Sequence, residues 1–226
     1  MNDLFSKNKK EQLLVLKNPL FNITLTQLLT YNAHFFGHKK KRNNTNIDYI
    51  FSTPKNIDII NLQKTITILR TILPLISDIV YKKGKVATIL NTHTLNDAAY
   101  LYELSFDINQ QFLPMWIPGI LSNFKTLRKQ KKRKKIYKLK YIPNFIIFLT
   151  TFHIKELKSE ILPCNIPCAV IQNIALKNLK FLYTIPLDYK KTSLQLLLCQ
   201  LVVNSIIIGY NKRILYFTKK KFKLKK

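Results

Sequence analysis

Hydrophobic residues recur at helical spacing in several parts of the chain. The clearest repeat predicts an amphipathic helix over residues 62–83, with apolar positions three or four residues apart at Leu62, Ile66, Leu69, Leu73, Ile76 and Val80. Pro74 is expected to kink or divide this helix, and Gly84 to end it. A shorter helix is predicted over residues 24–31 with Thr24 as its N-cap, and a last helix over residues 192–208.

Short apolar runs, which are typical of buried strands, separate the helical segments. They lie near residues 85–91, 111–113, 145–149, 168–171 and 181–185. Further helical patterns fall near residues 95–104, from residue 121, and at residues 154–162. Strands that alternate with helices predict an α/β fold, a flavodoxin-like three-layer sandwich with a central, mainly parallel sheet flanked by helices.

Polar and basic segments define the predicted domain boundaries. Residues 1–23 are expected to form a mobile N-terminal extension without an apolar signal-peptide core. Residues 24–211 are expected to form a single α/β domain with a basic loop at 125–140, followed by a basic C-terminal tail at 212–226.

Positive charge is concentrated in three segments that contain no acidic residue. The formal net charge is +27, and residues 39–42, 125–140 and 212–226 carry 4, 10 and 8 basic residues. The remaining 16 basic and 11 acidic residues are what an ordinary folded domain would carry. Three cationic segments on one folded body favour binding to a polyanion, above all nucleic acid phosphate.

An anionic membrane surface is the alternative source of negative charge. No membrane span is predicted, since the longest apolar segment, residues 194–208, is interrupted by Gln195, Gln200 and Asn204.

Enzymatic and metal chemistry find little support in the sequence. The four glycines are too dispersed for a nucleotide-binding loop. His34 and His38 have helical metal-ligand spacing but no further ligands near them, and Cys164, Cys168 and Cys199 form neither a disulfide framework nor a zinc set. We therefore predict no catalytic site, no metal and no cofactor.

RNA binding remains as the predicted chemistry. Lysines would neutralise phosphates, and Arg42, Arg128 and Arg133 would make forked contacts. Trp116 would offer a stacking surface, with packing in the core as the favoured alternative for any single aromatic residue here. The candidate RNA-binding residues from composition are Lys39, Lys40, Lys41, Arg42, Trp116, Lys125, Arg128, Lys129, Lys131, Lys132, Arg133, Lys134 and Lys135.

Codon bias offers a prediction about the genome. Lysine accounts for 33 of the 38 basic residues, with 20 Asn and 29 Ile against only 4 Gly and 6 Ala. Residues with AT-rich codons have displaced those with GC-rich codons, which favours an organelle genome over an AT-rich nuclear or bacterial one.

Several segments, in order, resemble the S2 family of small-subunit ribosomal proteins. The similar segments are 33–38 (AHFFGH), 46–51 (NIDYIF), 57–65 (IDIINLQKT), 84–86 (GKV), 116–127 (WIPGILSNFKTL), 165–167 (NIP) and 185–188 (IPLD). Together they extend over roughly residues 24–209. Three departures from the family pattern stand out: Met115, Pro118, and a segment of only residues 128–141 where bacterial members have a long helical hairpin.

The resemblance implies a structural, non-catalytic role in the small ribosomal subunit. The implied partners are small-subunit rRNA, bound between head and body, neighbouring small-subunit ribosomal proteins, and mRNA indirectly. Asn123 would touch RNA or hold a loop, and the residues expected to shape loops are His34, Gly37, His38, Gln63 and Gly119. The expected location is the mitochondrial matrix, in the mitoribosome, with a plastid as the alternative. The rival functions are an RNA-binding ribosome-assembly factor and a peripheral membrane protein.

Overall fold

The computed structural model describes residues 23–38, 48–89, 110–113, 116–129, 139–149, 154–172, 181–188 and 192–223. The first element within these ranges is helix α1 (Leu25–Thr30). The Thr24 hydroxyl accepts a hydrogen bond from the Gln27 amide at 3.3 Å, and the Gln27 side chain accepts one from the Thr24 amide at 3.2 Å. This reciprocal capping box confirms Thr24 as the N-cap.

A small antiparallel sheet follows α1 and was not predicted from the sequence. Its strands β1 (Phe35–His38), β2 (Ile50–Ser52) and β3 (Ile57–Ile60) lie in the order β1-β3-β2. Both strand pairings contain a register irregularity. Strands of three or four residues are too short to show a clear period of two, so the hydrophobic pattern gave no signal for them.

Helix α2 (Leu62–Tyr81) is continuous through Pro74, so of the two predicted effects of Pro74, a kink or a division, the division does not occur. The helix ends in a Schellman motif, in which Gly84 N–H donates to the Ile79 carbonyl at 2.8 Å and Lys83 N–H donates to the Val80 carbonyl at 3.1 Å. Lys83, with φ +66°, occupies the left-handed position that glycine usually takes. Gly84 is needed instead because its backbone lies close to that of Ile79, and a Cβ at Gly84 would lie 2.8 Å from the Ile79 carbonyl oxygen.

Five parallel strands form the central sheet and confirm the predicted fold class. They are β4 (Val86–Ile89), β5 (Gln111–Leu113), β6 (Phe145–Phe148), β7 (Cys168–Gln172) and β8 (Tyr183–Pro186). Their order is β5-β4-β6-β7-β8, and every pairing is parallel. Counted along the sheet this is the 2-1-3-4-5 order of flavodoxin-like folds.

Side chains alternate between the two faces of the sheet and divide the core in two. On the first face, Phe145, Ile147 and Ile171 pack against α2 and the last helix, α5 (Thr192–Lys223). On the second face, Ile146, Phe148 and Val170 pack against residues from the turn at 116–123 and from helix α4 (Ile154–Cys164). Helix α3 (Phe124–Lys129) continues from that turn.

Helix α5 differs from its predicted extent. The apolar pattern predicted an end at Ile208, but the helix continues to Lys223 and includes most of the segment expected to be a basic tail. The remaining predictions that lack a structural counterpart fall on residues 1–22, 39–47, 90–109 and 130–138, which lie outside the described residues. They include the N-terminal extension, the helix near 95–104, the basic residues 39–42, and Lys131, Lys132, Arg133, Lys134 and Lys135.

Candidate nucleic-acid interface

The turn before α3 is held by a carboxylate from α4. Glu160 accepts hydrogen bonds from the backbone amides of Gly119 and Leu121, the latter at 3.3 Å. Gly119 has φ +85°, and its carbonyl accepts the Asn123 amide at 2.8 Å. A positive φ favours glycine, which accounts for a glycine at this position of the turn. Sequence reasoning missed Glu160, because its partners lie about 40 residues away along the chain.

Three of the predicted RNA-binding side chains stand on this supported turn and the helix that follows. Asn123, Lys125 and Lys129 are all exposed. Arg128 lies in the same helix. The segment therefore offers amide and ammonium donors to a phosphate backbone from a position that the core fixes.

Trp116 does not belong to this exposed set. Its side chain is only 3% exposed and lies in the second-face core, where its ring meets Phe148 edge-on at a centroid distance of 5.3 Å. The expectation that Trp116 stacks on RNA bases is therefore corrected: an aromatic residue beside a basic segment here fills the core. Its indole N–H has no hydrogen-bond partner among the described residues.

The histidine-glycine segment forms the edge strand β1 and not a helix. The His34 carbonyl accepts the Ile60 amide at 2.8 Å, and its ring lies 4.0 Å from that of Phe35. Gly37 is paired with Asp58 and His38 with Ile57. These backbone pairings place His34, Gly37 and His38 where they connect β1 to β3, and the helical metal-ligand spacing of the two histidines is lost.

Asn61 shapes the loop before α2, a role expected of Gln63. The Asn61 side chain accepts hydrogen bonds from the amides of Gln63 at 3.1 Å and Lys64 at 3.4 Å, which caps the helix. The Lys64 ammonium reaches back to the Asp48 carbonyl at 2.6 Å. Gln63 contributes its backbone amide to this arrangement, and its side chain is exposed.

A second cationic region surrounds the C-terminal part of α5, beside the end of α2. The Lys83 ammonium lies 5.4 Å from the centre of the Phe217 ring, and the Arg213 guanidinium lies 4.9 Å from the centre of the Tyr210 ring. Tyr216 meets Tyr81 edge-on at 6.2 Å and Phe217 at 5.7 Å. We call Tyr81, Lys83, Arg213, Tyr216 and Phe217 the α5 ridge.

Lys85 extends the positive charge of the α5 ridge toward the sheet. Its ammonium lies 5.0 Å from the centre of the Tyr141 ring. Burial, and secondly the positive charge of Arg213, lower the pKa of Lys85. Burial raises the pKa of the Tyr141 hydroxyl, so this ring stays neutral. Closely spaced cations of this kind repel one another, and a bound anion would relieve the repulsion.

A metal site and a membrane-spanning helix are the two alternatives to an RNA-binding surface. Within the described residues, no group of three or more His, Cys, Asp and Glu side chains could hold a metal ion. One described helix segment, Ser193–Thr218, has the length and composition to cross a membrane, but 56% of its most apolar window is buried inside the fold. Because that burial is against α2 and the sheet, the segment has the packing of a core helix.

The comparison with known protein families identifies the fold's relatives. Residues 28–161, more than half of the chain, match the family described as Ribosomal protein S2. The chain belongs to the ribosomal protein S2 family. The matched segment contains β1–β6, the turn held by Glu160 and the basic segments 39–42 and 125–140, whereas the α5 ridge contributes residues mainly from beyond it. Membership in a family of ribosomal proteins supports the prediction that this S2-family chain is not an enzyme.

Three curated relatives, each named Small ribosomal subunit protein uS2, illustrate the similarity. The chain is 35% identical over 119 residues to that of Koribacter versatilis, covering 50% of this chain and 38% of the relative. It is 30% identical over 118 residues to that of Colwellia psychrerythraea, covering 50% and 47%. It is 35% identical over 112 residues to that of Bradyrhizobium sp. strain ORS 278, covering 49% and 33%. The chain thus spans a third to a half of the length of these bacterial relatives.

Proposed function

We propose that this S2-family chain is a structural constituent of the small ribosomal subunit that binds rRNA between head and body and supports translation without catalysis. The observation that carries the proposal is the family match over residues 28–161. That segment holds 14 basic residues in two acid-free segments, one of which begins in helix α3, directly after the turn that Glu160 supports.

The exposed turn and α3 supply the described part of the proposed rRNA contact. Lys125 and Lys129 neutralise phosphates, and Asn123 donates from the preceding turn. Lys39, Lys40, Lys41, Arg42 and the basic residues 131–135 add further phosphate contacts in this proposal. Neighbouring small-subunit proteins are the other partners, and mRNA is affected indirectly.

We further propose that the particle is an organelle ribosome, most simply the mitoribosome in the mitochondrial matrix. The support is compositional, since 33 Lys, 20 Asn and 29 Ile against 4 Gly reflect an AT-rich genome. The short segment at 128–141, in place of the bacterial hairpin, favours a mitochondrion over a plastid.

Sedimentation of an organelle lysate, with the chain quantified by mass spectrometry, tests both proposals. We expect constant stoichiometry with mature small subunits, and loss from that peak when magnesium is removed and the particle unfolds. Presence only in precursor particles would instead make it an assembly factor. Recovery with membranes after nuclease treatment would make it a peripheral membrane protein. Purified mitochondria and plastids, run in parallel, separate the two compartments.

A further inference from the structure

The α5 ridge exposes large aromatic and aliphatic side chains where the core has ended. Tyr216 is 52% exposed and Phe217 is 43% exposed, and Ile214 and Leu215 are exposed to similar extents. Earlier in the same helix, Leu198, Val202 and Ile206 are buried against α2 and the sheet. The exposed side chains therefore lie beyond the part of the helix that packs in the core. A cluster of exposed large apolar side chains is typical of a binding surface.

Neighbouring groups hold the rings of the α5 ridge in place. Tyr81, at the end of α2, supports Tyr216 edge-on, and the Lys83 ammonium lies over Phe217. Arg213 is one helical turn before both rings, and its guanidinium lies over the Tyr210 ring, one turn further back. The result is two half-exposed rings with the Lys83 ammonium over one of them and the Arg213 cation within two helical turns.

The charge around the α5 ridge is complementary to a polyanion. Helix α5 has no acidic residue along its 32 positions, and its sequence also includes Lys212, Lys219, Lys220, Lys221 and Lys223. Lys83 and Arg213 make no ion pair within the described part of the chain. A ligand with regularly spaced phosphates would neutralise this segment.

RNA fits the α5 ridge better than an anionic membrane does. A helix that lies on a membrane keeps its apolar residues on one face, with the charged residues opposite. Ile214, Leu215, Tyr216 and Phe217 are consecutive, so at 100° per residue they surround the helix. Two supported rings flanked by cations match unpaired nucleotides instead, whose bases stack on aromatic side chains while their phosphates meet lysine and arginine.

We propose that the α5 ridge is a second RNA-binding surface that takes unpaired nucleotides, with bases stacked on Tyr216 and Phe217 and phosphates held by Lys83 and Arg213. This inference rests on the proposed rRNA-binding function and extends it to a region that lies mainly outside the segment that matches the S2 family. It distinguishes the α5 ridge from the turn and α3, whose exposed lysines suit the backbone of any RNA, paired or unpaired.

Fluorescence anisotropy with the full chain tests the proposal. The probes are a labelled single-stranded 12-nucleotide RNA and a labelled blunt-ended RNA duplex without unpaired nucleotides, compared at a fixed salt concentration of about 0.15 M. Tyr216→Ala with Phe217→Ala should weaken single-strand binding by about tenfold or more and change duplex binding less than about twofold. Lys83→Gln with Arg213→Gln should weaken binding to both probes and lower the salt slope by about two.

Two controls keep loss of folding and loss of hydrophobic area apart from loss of stacking. Tyr216→Phe with Phe217→Tyr preserves both rings and should bind like the natural chain. Ile214→Ala with Leu215→Ala removes comparable exposed apolar area from the same turn and should change single-strand binding less than about twofold. Circular dichroism melting of each variant verifies that helix α5 still forms.

Three results would overturn the proposal: equal weakening by both alanine pairs, equal loss for single-stranded and duplex probes in the ring variant, or unchanged RNA binding together with lost binding to phosphatidylserine vesicles. The last result would assign the α5 ridge to a lipid surface. None of these outcomes depends on sedimentation with small subunits. The binding experiment can therefore refute the proposal for the α5 ridge while the sedimentation experiment still supports the proposed ribosomal function, and the reverse.

Discussion

The two faces of the parallel sheet are covered in different ways. On the first face, two long helices, α2 and α5, cross so closely that a Cβ at Gly209 would lie 2.3 Å from the Ser77 carbonyl oxygen. On the second face, the described cover includes the turn at 116–123 and α4. Trp116 packs in the core beneath the turn, and the Glu160 carboxylate of α4 binds the turn backbone. The helices on the first face are thus held by close contact between their backbones, whereas the elements on the second face are held by a few specific side chains.

This difference predicts on which face fold stability and RNA binding depend on the same side chains. The first face is built from regular helices and carries the α5 ridge only where α5 leaves the core. The second face carries Asn123, Lys125 and Lys129 on the turn and α3, so the side chains that hold this layer also position the proposed rRNA contacts. Changes on the second face should therefore alter stability and RNA binding together.

The largest expected effect comes from Trp116→Ala. Removing a buried indole that packs edge-on against Phe148 should lower the free energy of unfolding by about 3–5 kcal/mol. Urea unfolding followed by far-ultraviolet circular dichroism measures this loss. Trp116→Phe keeps an aromatic ring and removes an N–H without a described partner, so it should cost less than the alanine variant. A loss below 1 kcal/mol for Trp116→Ala would contradict its placement in the core.

Trp116 also shows where sequence reasoning stops. The five buried strands and their alternation with helices were predicted, since runs such as residues 145–149 are apolar throughout and can only be interior. Trp116 looked like a stacking residue because the sequence places it near the basic segment, and only tertiary packing decides which way a ring turns. Glu160 was missed for the same reason, as a lone carboxylate has no local pattern.

The errors at α5 and the small sheet have other physical causes. The apolar periodicity of α5 ends where the core ends, yet backbone hydrogen bonding carries the helix to Lys223 through a segment in which lysine, arginine and leucine are the helix-favouring residues. Strands β1, β2 and β3 depend on one another's hydrogen bonds, and their alternating pattern is too short to reveal them. Segments 39–42 and 131–135 stay predictions.

Gly209→Ala tests the backbone contact on the first face by the sign of its effect. Alanine in place of glycine inside a helix should stabilise by about 1 kcal/mol from helix propensity alone. The clash with the Ser77 carbonyl should reverse this and give a net loss of about 2 kcal/mol. Chemical unfolding decides between the two signs. Ser77→Ala, which removes a buried hydroxyl without a described partner, should be close to neutral, and a stabilised Gly209→Ala variant would disprove the tight crossing.

Glu160→Gln tests the carboxylate that holds the second face. A neutral amide keeps one acceptor oxygen but loses the charge-assisted bonds to Gly119 and Leu121, so we expect a loss of about 1 kcal/mol. RNA binding should also weaken, since the turn that positions Asn123 loosens. Asp78→Asn makes the same charge change at an exposed carboxylate on α2 and serves as the control. Equal effects of the two variants on stability and RNA binding would show that Glu160 acts only through its negative charge and not through its hydrogen bonds to the turn.

The two buried cysteines allow the local stability of the two sheet faces to be compared in the natural chain, without any substitution. Cys168 lies in the second-face core and Cys199 in the first-face core, while Cys164 is exposed. Burial raises the pKa of Cys168 to about 11 and that of Cys199 to about 12. Because the folded protein keeps both thiols protonated, it is favoured over the unfolded chain. This contribution to the free energy of unfolding is fully present below the unfolded thiol pKa of about 8.5 and is lost as the pH rises toward the folded-state values. At pH 8 both therefore stay protonated until the protein opens locally.

Timed alkylation at pH 8, followed by mass spectrometry of each cysteine, measures that opening. Cys164 should react first, and Cys168 should react before Cys199 because the second face has fewer and shorter covering helices among the described elements. An opening free energy lower by about 1.4 kcal/mol on the second face would make Cys168 react about tenfold faster. Equal rates for the two buried cysteines would show that both faces open in one step, and the contrast between backbone closure and side-chain closure would then have no consequence for local stability.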